Sequence, residues 1–237
     1  QTRIGRKTIT KSVLKKAPVA FMAYDLLEWQ GHDQRQQPFA RRRQLLENMF
    51  EDLPAHPSLV ISSKVHFATW QELAGIRELS REHAAEGLML KKQDSLYHTG
   101  RKRGDWWKWK VEPFTIEGVL LYAQKGHGRR AGLFTDYTFG VWNGNELVVF
   151  TKAYSGLTDK EFRQVDAFIK KNTLEKFGPV RTVKPELVFE LAFEGIRESA
   201  RHKSGVALRF PRILRWRHDK KPEDANTLEE LKALLNV

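Results

Sequence analysis

The chain has 237 residues, with 41 lysines and arginines against 29 acids, a formal net charge of +12 and no cysteine. Disulfide frameworks, thiolate zinc sites and a cysteine nucleophile are therefore excluded together, and the eight histidines form no His-x-x-x-His pair to seat a metal on one helix. No apolar run approaches the roughly 20 residues that cross a bilayer and no signal-peptide pattern appears, so the sequence reads as soluble, its positive charge favouring a polyanionic partner.

In chain order, residues 2–16 are basic and lack an apolar period, and the chain opens on Gln1, so its start reads as the middle of a longer protein. Residues 19–27 are apolar and partly aromatic, which predicts a buried strand. Pro38 introduces a helix over residues 40–50, with Leu45, Leu46, Met49 and Phe50 on one face beside an arginine face. A strand is expected at 59–67. A helix is expected at 69–82 with Trp70, Leu73, Ile76 and Leu79 inward. Residues 87–91 and 106–111 read as strands, and the loop between them carries Arg101, Lys102 and Arg103. Alternation along the second strand puts Trp107, Trp109 and Val111 on a packing face and Lys108 and Lys110 on the other. Two ammonium groups side by side repel, so either water solvates them or an anion sits between them.

After Glu112-Pro113 the texture changes to short strands at 116–123, 133–142, 146–153, 187–192 and 206–210, with a hairpin signal at Asn143-Gly144. Thr158 and Glu161 form a capping box for one helix, for which Phe177-Gly178-Pro179 is the stop. Thr227 and Glu230 cap a last short helix. Short antiparallel strands with one inserted helix suit an oligonucleotide-binding (OB) barrel. Gly126-His-Gly-Arg-Arg-Ala131 fits a loose dinucleotide pattern, but a β-prone aromatic run follows it where a helix is required. It reads as a basic turn between barrel strands. Residues 207–220 hold Arg209, Arg212, Arg215, Arg217 and Lys220 with a single acid, Asp219. Such a segment either meets phosphate or is a solvated basic face.

Four segments in this order resemble the motifs of ATP-dependent DNA ligases. Phe21-Met-Ala-Tyr-Asp-Leu-Leu27 with Phe39-Ala-Arg-Arg-Arg-Gln-Leu-Leu46 is similar to motif IIIa and the helix behind it. Glu86-Gly-Leu-Met-Leu-Lys-Lys92 resembles motif IV, Asp105-Trp-Trp-Lys-Trp-Lys-Val111 motif V, and residues 207–220 motif VI. The resemblance implies an α+β chain. Residues 1–112 would be the C-terminal part of a nucleotidyltransferase (adenylation) domain, with ATP-grasp-like antiparallel sheets and helices, and residues 113–237 an OB-fold β-barrel, with a hinge at Glu112-Pro113.

By the same resemblance the chain is part of an enzyme that seals nicks in double-stranded DNA, in replication, repair and recombination, through lysine-AMP and DNA-adenylate. ATP and Mg²⁺ are the implied cofactors, and a cytoplasmic, nucleoid-associated prokaryotic monomer is expected. Tyr24 would stack on adenine, or else is a core tyrosine, and Asp25 is read as structural. Glu86 would be the Mg²⁺ carboxylate, or else a surface acid, and Lys108 and Lys110 would hold the α-phosphate. Arg217, Asp219 and Lys220 would contact the β and γ phosphates, while Arg209 and Arg212 face solvent or DNA. The family's Lys-x-Asp-Gly nucleophile motif is absent from these residues, so the chain is expected to be a fragment that does not adenylate itself. An RNA ligase, a capping enzyme or a non-catalytic nucleic-acid-binding OB-fold protein are the alternative readings.

Overall fold

The structure, a computed structural model, describes residues 3, 6–128 and 131–236. Arg129 and Arg130 of the basic turn expected at 126–131 lie outside the described residues, as do Thr2, Ile4 and Gly5 of the basic N-terminal stretch. The chain divides into two compact units, residues 1–111 and 112–237.

In the first unit the basic stretch, read as patternless, contains a short helix, α1 (Lys11–Lys16), because the Thr10 hydroxyl accepts from the Val13 N–H and caps it. Strand β1 (Phe21–Ala23) runs parallel to β4 (Leu59–Ile61). The buried strand expected over 19–27 is thus three residues long, with only Ala23 buried and Phe21 and Met22 exposed. A ribbon of two strands has too little width to cover both its faces. The strand expected at 59–67 likewise stops at Ile61. Strands β2 (Glu28–Trp29) and β3 (His32–Asp33) form a hairpin whose turn residues, Gln30 and Gly31, both have positive φ.

Helix α2 (Phe39–Asp52) begins after Pro38 and buries Arg42, Arg43 and Leu46, so two arginines lie on its inner face beside a single leucine. Helix α3 (Trp70–Glu78) is capped by the Thr69 hydroxyl and passes into a 3-10 turn, Leu79–His83. Of its expected inward stripe, Leu73 is buried and Ile76 half-buried, while Trp70 and Leu79 face out. Strands β5 (Gly87–Lys91) and β6 (Trp106–Lys110) pair antiparallel.

The second unit is organised around the long strand β7 (Phe114–Lys125), which pairs with β8 (Phe134–Asn143), β11 (Val180–Val183) and β12 (Val188–Phe193). Asn143-Gly144 turns β8 into β9 (Glu146–Ala153), with Gly144 at φ +60. Helix α4 (Asp159–Lys171) starts at the Thr158–Glu161 capping box and lays Phe162, Val165 and Ile169 into a core with Tyr137, Phe139 and Phe189. It ends earlier than expected. Strand β10 (Thr173–Phe177) follows at once, and Gly178 (φ +56) is the turn into β11 and not a helix stop. Strands β13 (Gly195–Glu198) and β14 (Val206–Arg209) form a hairpin. Strand β15 (Arg212–Trp216) pairs with β12, and α5 (Leu228–Ala233) takes the Thr227–Glu230 box.

This seven-stranded sheet curls without closing into the expected barrel: β15 is one edge and β9 another. A backbone hydrogen bond bridges that gap, from Ile213 N–H to the Ser155 carbonyl at 2.9 Å. Gly156 permits the approach, having φ +114 and a position where a Cβ would lie 1.7 Å from the Ile213 carbonyl oxygen. Gly156→Ala is expected to cost at least about 2 kcal/mol in denaturant unfolding. Gly144→Ala, with nothing within 4 Å, should cost only roughly 1 kcal/mol.

Candidate functional site

The register of β5 and β6 sets Gly87, Met89 and Lys91 opposite Lys110, Lys108 and Trp106. Paired residues share a face, so three lysines line one side of this ribbon. Gly87 admits no side chain: its φ is +140, and a Cβ would fall 2.3 Å from the Trp109 carbonyl oxygen. Glu86 stands at the ribbon's end, where its carbonyl accepts from Val111 N–H at 3.0 Å and its carboxylate lies 3.0 Å from Lys110 Nζ. Lys110 is therefore charge-paired, while Lys108 is exposed with no ion pair among the described residues.

The opposite face departs from expectation. Val111 is buried, and Trp109 packs edge-on to Trp70 beneath the Arg77 guanidinium, but Trp107 is 59% exposed. Trp106, on the lysine side, is half-buried and in edge contact with Phe39 and Tyr97.

Lys91 was not singled out from sequence. Its ammonium lies 4.2 Å from the Trp106 ring centre, 4.6 Å from that of Tyr24 and 4.7 Å from that of Phe39. Burial holds its pKa below the usual lysine value, Asp25 pulls it back up, and Arg42 and Arg43 push it down. Alternation along β5 groups Lys91 with Gly87 and Met89, and it is the register with β6 that puts this face with Lys108. Tyr24, beneath this ammonium, remains 53% exposed.

Next to Tyr24, Asp25 takes Arg42 in a two-pronged pair of 2.8 and 2.9 Å, with side chains 3% and 0% exposed. Arg42 Nη1 also donates to the carbonyls of Gln37 (2.5 Å) and Ser95 (3.1 Å). Ser95 Oγ in turn accepts from the Trp106 indole N–H at 3.2 Å. One guanidinium thus joins the segment after β1 that carries Tyr24 and Asp25, the start of α2 and the loop before β6.

Arg217, Asp219 and Lys220 lie in the second unit and form one network. Arg217 Nε and Nη2 donate to the two Asp219 oxygens, and Arg217 Nη1 and Lys220 Nζ donate to Glu117 of β7. The Arg217 hydrogen bond holds the Asp219 carboxyl well below the usual carboxylate range, and Asp219 raises Arg217 in return. Glu117 was missed, although it is the lone acid of an apolar strand. Two further arginines of the basic segment also meet acids: Arg212 pairs with Glu194 at 3.0 Å, and Arg215 pairs with Glu190. Carboxylates thus stand beside Arg212, Arg215, Arg217 and Lys220 of the segment.

The comparisons with known proteins agree with this picture. Residues 1–110 match the family profile "ATP dependent DNA ligase domain", and residues 130–220 match "ATP dependent DNA ligase C terminal region". The chain is 36% identical over 249 residues to a probable DNA ligase of Koribacter versatilis, covering 97% of this chain and 43% of that protein. It is 31% identical over 234 residues to DNA ligase 1 of Korarchaeum cryptofilum, covering 98% of this chain and 42% of that protein. A solved structure from a study of Lig E DNA ligases aligns with a TM-score of 0.59 at 25% identity, over 86% of this chain and 65% of its own. The class is that of α+β ligase domains. The chain belongs to the ATP-dependent DNA ligases and spans less than half the length of these two curated relatives.

Removing one partner of a buried ion pair strands the other charge, which costs about 3–5 kcal/mol. Arg42→Met and Asp25→Asn should each destabilise the first unit by that amount in chemical denaturation. The double variant Asp25→Asn/Arg42→Met should cost less than the sum of the two.

Proposed function

We propose that the chain supplies part of the nucleotide site of an enzyme that spends ATP to join nicked double-stranded DNA. The observation that carries this reading is the β5–β6 face, which presents Lys91, Lys108 and Lys110 together, with Tyr24 under the Lys91 ammonium and Glu86 at the edge. Under it, residues 1–112 are the distal part of an adenylation domain and residues 113–237 an OB-fold domain. The protein acts as a monomer at the nucleoid.

In the first step a lysine nitrogen forms a bond to the α-phosphorus of ATP, the bond to the β-bridging oxygen breaks, and pyrophosphate leaves with its electron pair. AMP then passes to the 5′-phosphate of a nick, and the 3′-hydroxyl displaces it. Each displacement moves negative charge among phosphate oxygens, so catalysis consists of positioning and neutralisation. Tyr24 offers a half-exposed ring for the adenine. Lys108 and Lys110 meet the α-phosphate. Arg217 and Lys220 meet the β and γ phosphates, with Asp219 aiming the guanidinium.

Glu86 supplies a single carboxylate, which fits Mg²⁺ as an ion that keeps several waters and takes its other ligands from phosphate. When bound, the ion would neutralise phosphate charge. Glu86, whose carboxylate lies 3.0 Å from Lys110 Nζ, is the residue that would hold it.

A cation 4 Å from a unit anion gains about 4 kcal/mol at an effective dielectric near 20, before desolvation. If part of this is realised only in the transition state, losing one lysine slows the step by tenfold to a thousandfold, at about 1.4 kcal/mol per tenfold. In the full-length protein, incubated with Mg²⁺ and ATP labelled at the α-phosphate, Lys108→Ala should reduce formation of covalent lysine-AMP by that factor with little change in unfolding midpoint. Equal rates would remove Lys108 from the site. The 237 residues, with no Lys-x-Asp-Gly among them, should take up no label by themselves.

A further inference from the structure

We infer that Glu117 is a positioning residue, holding Arg217 and Lys220 as one prearranged pair of cations for a polyphosphate. The inference rests on the role proposed above for those two side chains. Glu117 is the only acid in β7, and its side chain is 11% exposed. One of its oxygens accepts from Arg217 and the other from Lys220, so both cations hang from a single carboxylate. Its backbone is fixed in turn: its N–H donates to Asn226 Oδ1 at 2.8 Å, and its carbonyl accepts from Asn226 N–H at 3.3 Å.

Directly across the ladder from Glu117 stands Glu190, which takes Arg215. Two acids facing each other on neighbouring strands repel, and an apolar pair there would build a sturdier sheet. Stability alone is therefore a poor account of this row. Its geometry instead aims cations. Arg217 gives three of its five N–H donors to Asp219 and Glu117, and Lys220 gives one of its three to Glu117. The donors left over keep a fixed direction. Cations held in advance lose little rotamer freedom on meeting phosphate, and orientation gained beforehand appears as rate.

The test separates the steps of the reaction in the full-length protein. Glu117→Gln keeps the side chain's shape and removes its charge. It should slow lysine-AMP formation from ATP at least tenfold, while sealing of a nick that already carries AMP, a step with no pyrophosphate to expel, stays within twofold. Glu117→Asp, one methylene too short to reach both cations, should fall between wild type and Glu117→Gln in the first step. Equal losses in both steps, accompanied by a lower melting temperature, would show that Glu117 only braces the sheet and would overturn the inference. Unchanged or faster lysine-AMP formation would overturn it as well. Arg217→Gln is the reference. If it leaves lysine-AMP formation intact, the proposed role of the Arg217 network fails; if it slows that step and Glu117→Gln does not, only the present inference fails.

Discussion

The buried Asp25–Arg42 pair is the constraint on which the first unit depends. A guanidinium wholly out of water is tolerable only when its donors are met, and Arg42 meets two carboxylate oxygens and two backbone carbonyls. Those four partners come from three separate stretches of chain. The need to satisfy one cation therefore fixes the path of Tyr24 and Asp25 after β1, where α2 begins and where the 92–95 loop turns. Through Ser95 the same constraint reaches the Trp106 indole, and through Trp106 the edge of the lysine-bearing ribbon. Ion pairs of this kind are weak contributors to net stability. What this one contributes is a single arrangement of groups distant in sequence.

The second unit uses charge in a comparable way at its surface. Arg212, Arg215 and Arg217 each find a carboxylate on β12, on β7 or just beyond β12. An arginine in such a pair is held in direction while other donors of its planar fork stay open. A net charge of +12 thus coexists with a basic segment that is locally close to neutral. The attraction for a polyanion comes from the chain as a whole, and the placement of particular guanidinium groups comes from the acids beneath them.

Features decided by neighbours in sequence were legible from the sequence. The capping boxes at Thr158 and Thr227 and the Asn143-Gly144 turn need only three or four residues each, and all three form. The alternation that sets Lys108 and Lys110 on one face is equally local and is present in β6. Features decided at long range were not legible. An arginine in a helix reads as solvent-facing, and only Asp25, 17 residues away, and Ser95, 53 residues away, put Arg42 inside. Glu117 acquires its meaning from Arg217, 100 residues on. The mixed run at 173–183 hid β10 and β11, since Gly178-Pro179 reads equally well as a helix stop and as a hairpin turn. The exposure of Trp107 could not be read either, because alternation assigns a face and does not say what covers it.

The central claim is that the β5–β6 face meets the phosphates of a nucleotide. The most direct measurement is the acylation rate of each lysine in the full-length protein, read by mass spectrometry with and without an unreactive ATP analogue and Mg²⁺. The account predicts that Lys91, Lys108 and Lys110 become protected while Lys160 and Lys171, on α4, keep their rates. Undiminished labelling of Lys108 and Lys91 under saturating nucleotide would contradict it.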